Sequence, residues 1–183
     1  MIAGLCYLPE YLDQRIHDDL IVAADRERWL MWDDHRVQAY GYGYDRAKAV
    51  AFHLGELPPW ATDLAQRLWH DGLLPDVPDQ LVVNDYSPGT GIFPHIDQAV
   101  FGNAIASVSL GSSCVMAFSK EDSATEELFL EPRSVVVLSG EVRWNWKHSI
   151  PARIFDTVEG RERRRERRLS LTFRVMPDST ERG

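Results

Sequence analysis

From Gln80 onward the apolar segments of this chain are too short to be helices. Leu81 to Tyr86, Ile105 to Leu110, Cys114 to Phe118, Leu128 to Leu130, Ser134 to Leu138 and Arg168 to Val175 each span a handful of residues, where a buried helix needs about 10–12. Turn formers separate them: Ser87-Pro-Gly-Thr-Gly91, Gly111-Ser-Ser113 and Glu131-Pro132-Arg133, of which the last two read as hairpin connections. Ahead of this half, Leu12, Ile16, Leu20, Ile21 and Ala24 follow a helical period between Pro9 and Trp29. Pro58-Pro59 opens a second amphipathic stretch through Trp60, Leu64, Leu68 and Trp69, which Gly72 and Pro75 close. Between the two, Gln38 to Asp45 alternates Tyr40, Tyr42 and Tyr44 with glycines, a strand pattern. Helices followed by about seven short strands predict an α+β chain, mainly β: a β-sandwich or jelly roll with the N-terminal helices packed outside.

A chain of 183 residues is long enough for one domain with a sizeable core. Its formal net charge of −8 argues against a protein whose main task is gripping duplex phosphate, and leaves local basic patches open. One such run, Arg161 to Arg168, is expected to be solvated. Cys6 and Cys114 sit in unlike contexts and form no CxxC pair, as expected of thiols in a reducing compartment. The N-terminus lacks the basic start and apolar core of a signal peptide. No apolar run approaches the roughly 20 residues needed to cross a bilayer. The expectation is a cytoplasmic protein with no membrane association and no obligate protein partner.

His95-Ile-Asp97 places a histidine and a carboxylate at i and i+2. On an extended segment both point to one face. A third ligand must come from elsewhere, and His148 is the only other histidine in the strand-rich half. Two histidines and one carboxylate leave three coordination positions open, the arrangement used by non-haem Fe(II) oxygenases. Taken alone His-x-Asp is weak, and a hydrogen-bonded surface histidine is the competing reading. His17, His35, His53 and His70 read as ordinary surface or core residues.

The final strand, Arg168-Leu-Ser-Leu-Thr-Phe-Arg174, alternates in the same way. Arg168, Ser170, Thr172 and Arg174 share one face, while Leu169, Leu171 and Phe173 make a core face. An inward face with two arginines is costly unless something anionic pairs with it, and guanidinium matches a small dicarboxylate bidentately. The competing reading is a solvated strand face. Asn84 and Tyr86, also two apart, offer an amide and a hydroxyl on the strand leading to the metal motif, or are simply strand residues.

Taken together, Asn84-Asp-Tyr86, His95-Ile-Asp97, His148 and Arg168-Leu-Ser-Leu-Thr-Phe-Arg174 resemble the AlkB family of Fe(II)/2-oxoglutarate dioxygenases over about residues 78 to 176. The resemblance implies a double-stranded β-helix core, iron held by His95, Asp97 and His148, and 2-oxoglutarate and O₂ as cosubstrates. It implies that Asn84, Tyr86, Arg168 and Arg174 contact 2-oxoglutarate, with Arg168 on the distal carboxylate and Arg174 nearer the keto-acid end. Ser170 and Thr172 share that wall, Ser170 standing where AlkB itself has asparagine. Pro78-Asp-Gln-Leu81, Asn84-x-Tyr-x-Pro-Gly-x-Gly-Ile92, Ser107-x-Ser-Leu-Gly-Ser112, Gly140-Glu-x-Arg143 and Phe155-Asp-Thr-Val158 are similar to the animal AlkB homologues that hydroxylate modified wobble uridine in tRNA.

The resemblance then implies one oxygenase domain over 1–183: N-terminal helices and a short substrate lid over 1–77, and the jelly-roll core over 78–176. The RNA-recognition and methyltransferase domains of the larger homologues are not expected. The implied reaction is oxidative demethylation or hydroxylation of alkylated nucleic-acid bases. RNA or single-stranded DNA is favoured, because flipping a base out of a duplex costs a few kcal/mol. Where AlkB has an acidic base contact this chain has Ala99. Tyr40, Tyr42 and Tyr44, which share one face of their expected strand, either stack a base at ~1–3 kcal/mol each or only pack. Two other functions stay open: the same chemistry on a protein side chain or small molecule, and a non-catalytic jelly-roll binding module.

Overall fold

The computed structural model describes residues 2–32, 34–45, 47–48 and 50–176; the end of the expected domain, residues 177–183, lies outside them. In chain order the strands are β1 (Leu5–Leu8), β2 (Leu30–Trp32), β3 (His35–Asp45), β4 (Val50–Gly55), β5 (Gln80–Tyr86), β6 (Ile92–His95), β7 (Ala104–Gly111), β8 (Cys114–Ser119), β9 (Glu126–Leu130), β10 (Val135–Ser139), β11 (Lys147–Ile150), β12 (Phe155–Val158), β13 (Arg161–Arg164) and β14 (Arg168–Arg174). The helices are α1 (Gln14–Arg26), α2 (Pro59–His70) and the short α3 (Gly140–Asn145). No helix among the described residues is long and apolar enough to cross a membrane.

The strands form a large antiparallel sheet in the order β1-β10-β7-β14-β5-β3-β2, with β4 on β3, and a smaller one in the order β6-β11-β8-β9. The chain passes repeatedly between the two, as a double-stranded β-helix requires. That crossing corrects two expectations. β7 and β8, on either side of Gly111-Ser-Ser113, are not a hairpin: β7 pairs with β10 and β14, β8 with β11 and β9. Likewise β9 and β10, on either side of Glu131-Pro132-Arg133, lie in different sheets. A turn bends the chain in both situations, so its residues do not say whether the next strand pairs with the last or with one across the core.

Strand parity divides the molecule into two apolar cores. The outward side chains Leu81 and Val83 of β5, Val108 and Leu110 of β7, and Leu169, Leu171 and Phe173 of β14 are all at most 1% exposed. They meet Leu20 and Ala24 of α1 and Ala61, Leu64, Ala65 and Leu68 of α2, so both helices cover the outside of the large sheet. Each fully buried Leu or Phe contributes about 1.5–3 kcal/mol to that packing. The first helix starts later than its apolar pattern suggests. Asp13 caps it, its carboxylate accepting from the Ile16 N–H at 2.8 Å, and the residues ahead leave for β1 on the sheet edge. The inner core joins Met116 and Phe118 of β8, Ile150 of β11, and Val136 and Leu138 of β10. Between the sheets, at one end, the large sheet turns a polar face inward.

Gly41 breaks the expected tyrosine face. Its φ is +75° and a Cβ there would lie 1.7 Å from the Asp79 carbonyl oxygen, so only glycine fits. The ladder register shifts just after it. Tyr40 therefore packs on the helix side, edge-on to Trp60 at 6.2 Å, whereas Tyr44 meets Phe101 at 5.9 Å. The arginine run is another correction: Arg161 to Arg164 are exposed, but Arg165 is 4% exposed and paired twice with buried Asp156.

Candidate metal and cosubstrate site

β6 and β11 are antiparallel neighbours, and their register sets His95 directly opposite His148. The two rings lie 4.3 Å apart between centroids. Asp97, two residues beyond His95, brings its Oδ2 to 3.4 Å from His148 Nε2. One ligand atom from each of the three lies within 4.8 Å of the others, close enough to share a single ion. His95 Nδ1 faces the Phe93 carbonyl at 2.8 Å and so donates there, leaving Nε2 as the lone-pair ligand.

The electrostatics keep Asp97 and His148 in ligand form. Burial works to raise the Asp97 pKa, but the charges of Arg174, the two imidazoles and Arg143 outweigh it and hold the carboxyl at about 2. Burial pushes His148 down to about 4, against the pull of Asp97. At neutral pH this is an anionic carboxylate with a neutral imidazole, the forms a divalent ion requires.

The cavity beside these groups is walled by the inward faces of β5 and β14: Asn84 and Tyr86, then Arg168, Ser170, Thr172 and Arg174. Arg174 Nη2 donates to Asp97 Oδ1 at 2.5 Å and Nη1 to Gln80 Oε1 at 2.9 Å, with Phe101 against its guanidinium. Arg168, six residues along the strand, is 3% exposed; its Nη2 donates to Ser109 Oγ at 2.9 Å. Ser107 and Ser170 share a hydroxyl bond of 2.8 Å. Burial pushes the Tyr86 phenol up to about 12 against the pull of Arg168, so it remains a donor.

The arginine Nε atoms test whether a cosubstrate anion fits. Both Arg168 Nε and Arg174 Nε are buried, with no partner among the described residues. Leaving a buried donor unmade costs about 1–3 kcal/mol, more when it is charged. Among the described residues no carboxylate accepts from Arg168 either. A carboxylate-bearing ligand entering from the metal side supplies the missing acceptors, and the donor set matches 2-oxoglutarate with Fe(II).

Tyr40, Tyr42 and Ala99, the expected substrate positions, are not among the residues that line this cavity. Ala99 opens a 3₁₀ turn, Ala99–Phe101, and is exposed. Tyr40 is on the helix side, and Tyr42 lies edge-on to His53 at 5.2 Å. Sequence reasoning missed others that touch the site. Ser107 and Ser109 are inward residues of β7, detectable by parity once β7 is known to pair with β14. His35 reaches Asn84 from β3. Arg143, in the Gly140-Glu-x-Arg143 stretch, is 2% exposed and donates to the carbonyls of Asp97 (3.0 Å), Gln98 (2.8 Å) and Gly102 (3.2 Å).

Arg143 thus clamps the loop that carries Asp97. Arg143→Met is expected to leave three carbonyls short of donors and to cost ~3 kcal/mol or more, with metal occupancy falling alongside. Arg143→Lys, a point donor, is expected to recover only part of this. Chemical denaturation and metal stoichiometry check both; wild-type stability and full occupancy in the Met variant would remove the clamp.

Comparison with known proteins agrees with this geometry. The family model described as the 2OG-Fe(II) oxygenase superfamily matches residues 24–174. An Arabidopsis thaliana protein named alkylated DNA repair protein ALKBH8 homolog is 33% identical over 204 residues, covering 94% of this chain and 58% of that one. The Mus musculus tRNA (carboxymethyluridine(34)-5-O)-methyltransferase ALKBH8 is 38% identical over 135 residues, covering 69% of this chain and 20% of that one. This chain therefore spans little more than half of the plant relative and a fifth of the mouse one. The solved structure titled OsALKBH1 superposes with a TM-score of 0.69 at 18% identity, covering 96% of this chain and 98% of that one, a likeness of fold. With the His-Asp-His cluster, the cationic wall and the matched residues in agreement, the chain belongs to the 2OG-Fe(II) oxygenase superfamily, and within it to the AlkB-type oxygenases.

Proposed function

We propose that this protein oxidises alkylated nucleic-acid bases, hydroxylating or demethylating them, with RNA or single-stranded DNA as substrate. The observation that carries the reading is the pair of buried arginine Nε donors, without partners among the described residues, in the same cavity as the His95, Asp97 and His148 cluster. Residues 1–183 act as one oxygenase domain, with 78–176 as its catalytic core.

His95, Asp97 and His148 would hold the iron, and Arg168, Arg174, Asn84 and Tyr86 the 2-oxoglutarate. When bound, iron with 2-oxoglutarate and O₂ supplies the oxidising power to hydroxylate a substrate carbon; an N-methyl carbon so treated leaves as formaldehyde. The protein's own part is positional. Asp97 is fixed through Arg174 on one oxygen and through the Arg143 clamp on its backbone. His148 is fixed by its ladder on β6 and β8.

The names of the relatives, a DNA-repair homologue and a tRNA modification enzyme, support a nucleic-acid substrate. Phe93, two residues before His95 and 89% exposed, and Phe52 on β4, 48% exposed, offer ring faces on which a base can stack at ~1–3 kcal/mol. Favouring a protein or small-molecule substrate instead is Ala99, exposed and without a carboxylate to read a base. A turnover panel of methylated RNA, single-stranded and duplex DNA, and methylated peptides, with Fe(II), ascorbate and 2-oxoglutarate, separates these. Succinate formation coupled to formaldehyde release, or to a hydroxylated base, is expected with RNA or single strands. Coupling to peptides alone would transfer the same chemistry to proteins.

A further inference from the structure

His35 lies on β3, outside every motif that identifies the site. It is 8% exposed, and its Nε2 sits 3.1 Å from Asn84 Oδ1. Its ring stacks on Tyr86, with centroids 4.9 Å apart and planes inclined by 23°. Nδ1 faces Oδ1 of the exposed Asp34 at 3.2 Å, an acceptor as Asn84 Oδ1 is, so the two bonds together require a hydrogen on each ring nitrogen. One imidazole therefore touches both β5 residues that wall the cavity beside β14. We propose that His35 is a positioning residue for the cosubstrate, fixing Asn84 so that its amide N–H groups, rather than its carbonyl, face the bound anion.

An amide oxygen only accepts, so a bond to Asn84 Oδ1 requires that Nε2 carry a hydrogen. With Oδ1 engaged, both Nδ2 hydrogens are left to the cavity. The opposite amide orientation would turn a carbonyl dipole toward the carboxylates expected beside Arg168 and Arg174, and would waste a donor there. Tyr86 is held by stacking, which restricts its ring to one plane while its hydroxyl stays free to donate. Asn84 and Tyr86 belong to the strand whose register with β14 is set residue by residue, Tyr86 against Arg168 and Asn84 against Ser170. The register thus fixes the backbones and His35 the side chains.

The proposal rests on the oxygenase reading above, and its test must fail separately from that reading. Two measurements on the full chain serve: the rise in melting temperature that 2-oxoglutarate produces with Mn(II) in place of Fe(II), and the half-saturation concentration for 2-oxoglutarate in Fe(II)-dependent succinate formation. His35→Phe keeps the stacking and loses the donor. It is expected to raise half-saturation ~10-fold with maximal rate within about twofold, and to shrink the ligand-induced shift. His35→Gln, which offers a donor amide, is expected to recover most of the affinity. His35→Phe added to Asn84→Ala is expected to cost nothing more than Asn84→Ala alone, since the histidine acts through the asparagine. Wild-type half-saturation in His35→Phe, an equal fall in maximal rate alone, or additive losses in the double variant would overturn the positioning role and leave the oxygenase reading standing. A wild-type protein that neither shifts with Mn(II) and 2-oxoglutarate nor forms succinate would overturn both. Should His35→Phe unfold, His35→Leu, which also lacks the donor, decides by the same criteria, alone and combined with Asn84→Ala.

Discussion

Replacing Asp97 with alanine is expected to abolish 2-oxoglutarate turnover and, unusually for a metal ligand, to destabilise the metal-free protein as well. The carboxylate has two tasks here. It is one of three groups gathered around a common point, so its loss leaves two imidazoles and a much weaker site. It is also the ion partner of Arg174, a buried cation whose other acceptor is the neutral Gln80. Breaking a buried pair by removing one side costs about 3–5 kcal/mol, because the other charge stays behind unpaired. His95→Ala is expected to lose metal and turnover equally while melting close to wild type, since His95 is half-buried and contacts a backbone carbonyl rather than a charged partner. Metal stoichiometry, succinate formation and metal-free melting of the two variants check this together. Retained succinate formation in either would remove that residue from the ligand set, and equal melting of both would remove the structural role of the Asp97–Arg174 pair.

Arg168→Met is expected to move function and stability in opposite directions. In the ligand-free protein this guanidinium is buried against Tyr86 and Ser109, with no carboxylate partner and with Nε unpartnered among the described residues. Holding a cation there costs stability, and an apolar side chain of similar length removes that cost. The metal-free variant is therefore expected to melt at the wild-type temperature or above. Affinity for 2-oxoglutarate is expected to fall by ~30-fold to a few thousand-fold, the effect of 2–5 kcal/mol lost when one side of a buried charge pair is truncated. An unchanged half-saturation would move the distal-carboxylate role to another group. A sharp drop in melting would mean that Arg168 is retained for the fold and not for its ligand.

The two sets of residues that define the site were legible in the sequence for one reason: strands alternate. His95 and Asp97 two apart, and Arg168, Ser170, Thr172 and Arg174 in register, need no tertiary knowledge to be placed on common faces. What parity could not supply was the partner of each strand. Gly111-Ser-Ser113 and Glu131-Pro132-Arg133 bend the chain as hairpin turns do, yet each carries it from one sheet to the other. The tyrosine strand failed for a related reason, because the positive-φ Gly41 turns the strand over midway and parity holds only within an unbroken ladder. Short edge strands such as β1 and β2 escaped because they have too few residues to show a period. His35 carries no local signal, and Arg143 only that of the Gly140-Glu-x-Arg143 stretch, which does not say what the arginine touches. Their contacts join residues 41 to 49 positions apart, and only the closed fold brings them to Asn84 and to the Asp97 loop. Arg165 reads as solvated because its neighbours are; Asp156, nine residues upstream, buries it.

The most direct measurement is a crystal structure of the protein with Mn(II) and 2-oxoglutarate. The expected result is one ion bound by His95, Asp97 and His148, chelated by the keto-acid end of the cosubstrate, whose far carboxylate lies on Arg168. An ion bound elsewhere, the imidazole of His148 turned away from it, or a far carboxylate that leaves the Arg168 guanidinium unpaired would contradict the site described above.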